Sequence, residues 1–254
     1  MEHEITIGLF ELVSIILVLI LLFLGFKVLE MNWSFRISKP YQWERAVKNK
    51  QIPRSLKSLE RTYRDKVRFY TFFLLIDKIK TEGIDGSFAE LGVYQGETAK
   101  IIHQMCPDRS FHLFDTFDGF SKKDLKQEVS AESIKQKPSF TDTSLEEVKA
   151  HISGNENVHY HPGFFPDTAL QLEEQQFAFV HLDADLYAPT LAALHYFYPK
   201  MSPGGIIMIH DYNHNWDGLR KAINEFSETI PERFAPIADW QGSVVLIRNR
   251  SKQS

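Results

Sequence analysis

Cysteine is nearly absent from this 254-residue chain. Cys106 stands alone, so no internal disulfide holds the fold, which suits a reducing compartment. An excess of positive charge is missing as well. Lys and Arg number 29 against 33 Asp and Glu, a net charge of −4, and without a basic footprint nucleic acid is excluded as a partner. No segment repeats, so a repeat array is excluded. The Gly-x-Gly-x-x-Gly spacing that brings amides against a dinucleotide pyrophosphate is also missing. What is present, 43% hydrophobic and 24% charged residues, is an ordinary globular composition, long enough for one large domain or two small ones.

The first feature is apolar. From Ile5 to Phe26 the chain is almost wholly hydrophobic, and from Leu12 to Phe26 only Ser14 and Gly25 interrupt it. A membrane span needs roughly 20 such residues. Glu11 is the one charge, near the outer end, where an ionised group costs less than at the bilayer centre. A cleaved signal peptide fits poorly. The chain begins Glu2-His3-Glu4 instead of with a positive region, and Gly25-Phe26-Lys27-Val28 offers no small-residue cleavage site. Nothing polar alternates along Leu12 to Leu24 to make the solvent face of a core helix. Residues 1–30 therefore read as an N-terminal transmembrane helix. Lys27, Arg36, Lys39, Arg45, Lys48 and Lys50 follow it, and the positive-inside rule places the rest of the chain on the cytoplasmic side. Residues 31–54, with Trp33, Phe35, Tyr41 and Trp43, read as a juxtamembrane connector. It is either a solvated linker or a contact for anionic headgroups.

Residues 55–254 read as one α/β domain. Apolar residues three or four apart predict a helix from Ser55 to Lys80. Strands then alternate with helices: Ser87 to Val93, Phe111 to Asp115, Val158 to Tyr160, Phe177 to Leu182 and Gly205 to Ile209. Helices are expected over Glu97 to Met105 and Thr190 to Tyr198, and Pro203-Gly204-Gly205 reads as a turn. Phe234 to Ile237 and Ser243 to Ile247 complete seven strands. This alternation predicts a Rossmann-like, doubly wound, mostly parallel seven-stranded sheet. Ser121 to Lys137, polar and rich in Lys and Glu, is either a surface loop or a lid.

In such a sheet ligands bind beyond the carboxyl ends of the strands, and acids recur there. Glu90-Leu91-Gly92-Val93-Tyr94-Gln95-Gly96 follows the first strand and opens a helix, its glycines permitting a sharp turn and close approach to a ligand. A tight strand–helix turn alone accounts for the same residues. Asp115 ends the second strand, where a carboxylate can accept ribose hydroxyls. Asp118, before Gly119, reads as a turn residue. Asp183 and Asp211 end two neighbouring strands, and two carboxylates so placed can hold a hard cation such as Mg²⁺, which acidifies a hydroxyl. Asp185, two residues beyond Asp183, is either a helix cap or a further ligand. His210 and His214 are four apart but flank a loop, which does not establish a zinc-type pair.

Six stretches resemble the macrocin O-methyltransferase-like family of class I methyltransferases: Ala89 to Gly96, Phe114 to Phe120, Phe140 to Glu147, Gly163 to Thr168, Leu182 to Tyr187 and His210 to Tyr212. They occur in a consistent order across Ser55 to Ile247. The resemblance implies S-adenosyl-L-methionine as cofactor, Mg²⁺ as metal, and a sugar-like or polyhydroxylated small molecule as methyl acceptor. It implies that Glu90, Gly92, Tyr94 and Gly96 border the methionine part and Asp115 the ribose, with Gly163 and Phe164 near the adenine. Asp183 matches a metal ligand that can serve as general base, and Asp211 a second ligand. His210 stands where several members carry an acid, so it either replaces a ligand or acts as a base. The apolar helix lies outside the family's core. A homo-oligomer is compatible with this frame. The competing classes are a nicotinamide-dependent oxidoreductase, which the absent glycine triplet disfavours, and a non-catalytic scaffold.

Overall fold

The computed structural model describes residues 8–37, 39–128, 139–172, 175–213 and 217–250. The chain divides into two units, Met1–Gln51 and Ile52–Ser254. In the first, helix α1 runs Leu9–Ile37. Its stretch Leu9–Asn32 holds 24 residues, within which a window of 18 has a mean hydropathy of 3.0 and is 0% buried. At roughly 1.5 Å per residue such a helix is long enough for a hydrocarbon core of about 30 Å. Helix α2, Tyr41–Lys48, follows it.

The second unit opens with α3 (Arg54–Thr62) and α4 (Lys66–Thr81). The apolar pattern predicts one helix here, and the structure makes two. Asp65 breaks the run: its carboxylate accepts the backbone N–H of Arg68 at 3.0 Å, capping α4, and that of Trp240 at 2.9 Å. A side-chain acceptor on an orphan helical N–H contributes about 1 kcal/mol. Apolar spacing does not register it, because the periodic residues continue on both sides.

Seven strands form one mixed sheet in the order β3-β2-β1-β4-β5-β7-β6. They are β1 (Ser87–Leu91), β2 (Phe111–Asp115), β3 (Val158–Pro162), β4 (Phe177–Leu182), β5 (Met201–Ile209), β6 (Ala235–Ile237) and β7 (Ser243–Ile247). The first five are parallel, and β7 runs antiparallel to both β5 and β6. Every residue of β1 and β4 is buried, as expected of strands covered on both faces. Among the described residues, this unit also has helices α5 (Glu97–Met105), α6 (Lys122–Leu125), α7 (Leu145–Ile152), α8 (Tyr187–Phe197) and α9 (Asp217–Ser227).

Pro203-Gly204-Gly205 lies inside β5 instead of turning before it. Pairing jumps from Phe177↔Met201 to Phe179↔Ile206, so β5 bulges where Gly204 takes φ 85°. The segment expected as a loop or lid begins with α6, and its residues 129–138 lie outside those described. Strand order reverses between β1 and β4, and that reversal opens a crevice at their carboxyl ends.

Candidate active site

A cavity of about 340 Å³ occupies this crevice. Its floor begins one residue inside the sheet. Glu90 and His181 are register partners on β1 and β4, both side chains fully buried and 2.8 Å apart. Thr98 of α5 donates to the same Glu90 oxygen at 2.6 Å. Burial pushes the Glu90 carboxyl up, and His181 and Thr98 oppose that shift. Glu90 thus ties β1 to β4 and to α5, below the residues that line the cavity.

The turn after β1 approaches β4 so closely that only glycine fits. Gly92 adopts φ 87°, and a Cβ on it would lie 2.1 Å from the backbone oxygen of Asp183. Asp115 then fastens the turn to β2. One carboxylate oxygen accepts the N–H groups of Val93 at 2.7 Å and Tyr94 at 2.9 Å, and the other accepts that of Phe117 at 2.7 Å. A carboxylate offers about four lone-pair sites, so the chain itself uses most of them. Gly96 is the N-cap of α5. Gly163 extends the ladder by donating to the Asp115 carbonyl at 2.9 Å, and Phe164 lines the cavity under the ammonium of Lys123, 4.6 Å from the ring centre. The Tyr94 hydroxyl donates to Asp142 at 2.8 Å, and Tyr94 and Phe140 meet edge to face, closing that side.

Asp183, His210 and Asp211 converge beyond β4 and β5, with potential ligand atoms within 4.8 Å of one another. His210 Nδ1 stands 2.9 Å from Asp183 and 3.1 Å from Asp211. Burial disfavours charge on this histidine, but the two carboxylates outweigh it and raise its pKa. Burial likewise works to raise the Asp183 carboxyl. The charge and hydrogen bond of His210, with His181 and Arg68 behind them, hold it well below the usual carboxylate range. One imidazole nitrogen thus stands between two carboxylates, hydrogen-bonded to that of Asp183. Two carboxylates and an imidazole nitrogen at this spacing also suit a divalent cation.

Backbone strain gathers at the same place. Tyr94, Phe140, Asp185 and Asp211 line the cavity with φ of 49°, 52°, 61° and 63°. Such conformations cost about 1–3 kcal/mol each and concentrate at functional sites. Asp185 is not a helix cap, because Leu186 holds the N-cap position of α8. Asp118 is an exposed bend residue whose N–H meets the Thr116 hydroxyl at 3.3 Å. His214 lies outside the described residues.

The structure thus gathers Gly92, Tyr94, Asp115, Gly163, Phe164, Asp183, His210 and Asp211 around one cavity, with Glu90 and Gly96 behind its wall. It adds Tyr63, Arg68 and Gln241, which the sequence reading did not select. One available signal was missed: His181 interrupts an apolar strand one residue before its end, as Glu90 does in β1.

A crevice built this way, with a glycine turn after β1 and acids ending β2, β4 and β5, defines a Rossmann-like α/β protein with a nucleoside-type site. Residues 36–245 match the family model described as Macrocin-O-methyltransferase (TylF), and the chain belongs to that family. It is 28% identical over 166 residues to mycinamicin III 3''-O-methyltransferase of Micromonospora griseorubida, covering 60% of this chain and 65% of that one. Identity is 26% over 168 residues to a tetracenomycin 4'-O-methyltransferase of Streptomyces olivaceus, covering 59% and 61%. The aligned region thus spans about three fifths of the length of these curated relatives. Among solved structures, the O-methyltransferase NovP superposes with a TM-score of 0.63 at 25% identity, covering 73% of this chain and 81% of its own. The calicheamicin methyltransferase CalS11 shares the fold, with a TM-score of 0.55 at 18% identity over 83% and 87%.

Proposed function

We propose that this protein is an S-adenosyl-L-methionine-dependent O-methyltransferase acting on a hydroxyl of a sugar or other polyhydroxylated small molecule. The Asp183–His210–Asp211 triad beside the glycine turn carries this reading, because it sets proton-accepting and cation-holding groups next to a nucleoside-type crevice. The relative named for a rhamnosyl-tetracenomycin substrate supplies the acceptor class. The cavity's own charge supports the cofactor. Six carboxylates line it (Glu97, Asp115, Asp124, Asp183, Asp185 and Asp211), and Arg68 and His210 are the basic side chains among the described lining residues. That field attracts a sulfonium and repels the pyrophosphate of a nicotinamide dinucleotide.

The cofactor supplies an electrophilic methyl group when bound. Around it, the Gly92–Gly96 turn and Asp115 form one wall, with Gly163 and Phe164 beyond β3. Asp183 lines the same cavity and serves in this reading as the base that accepts the acceptor hydroxyl's proton. His210 and Asp211 restrain that carboxylate, and in-line placement of the hydroxyl contributes much of the rate. Asp183 and Asp211, with His210, would hold a Mg²⁺ ion, which supplies the acidity a sugar hydroxyl lacks.

Residues 1–30 act as a membrane anchor in this proposal, 31–54 as a connector, and 55–254 as the catalytic domain on the cytoplasmic side. The uncovered apolar stretch of α1 supports the anchor, and the basic residues after it support the orientation. The test is transfer of labelled methyl from S-adenosyl-L-methionine into a metabolite extract by the full chain, with and without chelator. Label should appear in a hydrophilic, alkali-stable product. Failure to bind S-adenosylhomocysteine and to transfer label would overturn the reading.

A further inference from the structure

Trp240 is out of keeping with its surroundings. It is 65% exposed, and no other Phe, Tyr or Trp among the described residues of the second unit is exposed. An indole left in water forgoes the gain of burial, yet the chain fixes this one in place. The Trp240 N–H donates to Asp65 at 2.9 Å. Buried Asp239 accepts the Ser243 N–H at 2.5 Å and the Ser243 hydroxyl, which closes the turn. Gly242, at φ 76°, packs so tightly on Asn213 that a Cβ would lie 2.5 Å from the Cβ of that residue. Arg64 covers part of the ring, its guanidinium 4.1 Å from the ring centre.

The Arg64–Trp240 pair stands at the rim of the cavity. Neither residue lines it, but Tyr63 and Gln241, their neighbours in the chain, both do. Asp65 joins the two segments through the N–H groups of Arg68 and Trp240. Arg68 in turn lies 4.0 Å from Asp183, so this rim borders the end where the proposed reaction deprotonates the acceptor. At about 340 Å³ the cavity is near the lower bound, roughly 300 Å³, for one small-molecule ligand. With a nucleoside cofactor inside, most of an acceptor lies over the rim. A sugar ring matches what it meets there. Its C–H bonds collect on one face and its hydroxyls around the edge. The negative face of an indole attracts the first, and guanidinium N–H groups serve the second. An anionic lipid headgroup fits less well, because carboxylates dominate the adjoining lining.

We propose that Trp240, backed by Arg64, is an outer acceptor subsite that stacks on the C–H face of a sugar ring whose hydroxyl reaches Asp183. The subsite rests on the methyltransferase reading and adds the residues that select a saccharide. The test uses the full chain in detergent, with labelled methyl transferred from S-adenosyl-L-methionine into rising concentrations of metabolite extract. Trp240→Ala should raise the extract concentration at half-maximal rate by about tenfold or more, the effect of losing an aromatic anchor. Maximum rate, S-adenosylhomocysteine affinity and melting temperature should stay unchanged, because the backbone N–H on Asp65 is kept. Trp240→Phe should restore most of the loss, and Arg64→Gln should show a smaller one. Unchanged half-saturation in Trp240→Ala, or an equal loss of S-adenosylhomocysteine affinity, would overturn the subsite. So would label found in no saccharide, or a Trp240→Ala defect confined to anionic phospholipid vesicles, which would assign the ring to headgroups. In each of these outcomes, wild-type binding of S-adenosylhomocysteine leaves the cofactor reading intact. A wild type that neither binds it nor transfers label would overturn the cofactor reading and the subsite together.

Discussion

The two ends of the cavity are built on opposite terms. Toward β1 and β2 the polar groups of the cavity wall are paired within the chain, while Glu90 Oε2 behind that wall is not: the Asp115 carboxylate takes three backbone N–H groups, and the Tyr94 hydroxyl is spent on Asp142. Toward β4 and β5 the Tyr63 hydroxyl, Arg68 Nε and His210 Nε2 are buried without a partner, beside the Asp183 carboxyl, which is held well below the usual range. An unmade buried donor costs about 1–3 kcal/mol. The first end is finished by folding and offers a shaped wall. The second keeps its polar groups for whatever enters, and that is where chemistry belongs.

The two ends touch at Gly92, and breaking that contact should have the largest effect. Gly92→Ala places a Cβ against the Asp183 carbonyl at φ 87°. It should cost about 3 kcal/mol or more, read as a drop in the denaturation midpoint, and should impair both ends together. Loss of one function with the other unaffected would show that the ends are independent.

Asp183→Asn acts on the open end alone. Turnover in the labelled-methyl assay should fall by about 10²-fold or more, with S-adenosylhomocysteine affinity nearly unchanged. Full activity in the presence of chelator would remove Asp183 from the chemistry and leave positioning as the source of catalysis.

Asp115→Asn acts on the closed end. Three N–H groups lose a charged acceptor, so cofactor affinity should fall by about tenfold, with a modest loss of thermal stability. A melting temperature unchanged by the substitution would mean that the Asp115 carboxylate does not secure the turn.

The smallest effect concerns Asp124, on α6 at the cavity wall. Burial pushes its carboxyl up to about 6. The folded state then binds more protons than the unfolded one between the ordinary carboxyl pKa and 6. Stability from this group is present at low pH and lost as pH rises through 6. Screening by the open cavity limits the loss to about 1–2 kcal/mol. Asp124→Asn should flatten that part of the stability profile in denaturant titrations at pH 4 to 7, and an unchanged slope would refute the assignment.

Much of this was legible along the chain. The alternation of apolar runs and turns disclosed the strands and helices because it is local, set by residues two to four apart. The acids at 115, 183 and 211 were legible because each follows an apolar run directly, and a strand's end is where a parallel sheet presents its ligands. The apolar stretch of α1 was equally plain, since length and hydropathy need no partners. What the chain did not disclose depends on pairing across distance. Asp65, which caps the second of two helices, is also held by Trp240 from 175 positions away, and β5 absorbs Gly204 where β4 sets its register. The Asp115 carboxylate is spent on the turn after β1 because the parallel pairing of β1 and β2 brings the two together. Tyr63 and Arg68 belong to the site only because the α3–α4 break lies against the carboxyl end of β4. Local pattern determined the elements and the acids at their ends. Tertiary structure alone decided which of those groups the protein satisfies itself and which it holds open, because a buried group's partner is chosen by packing and not by spacing.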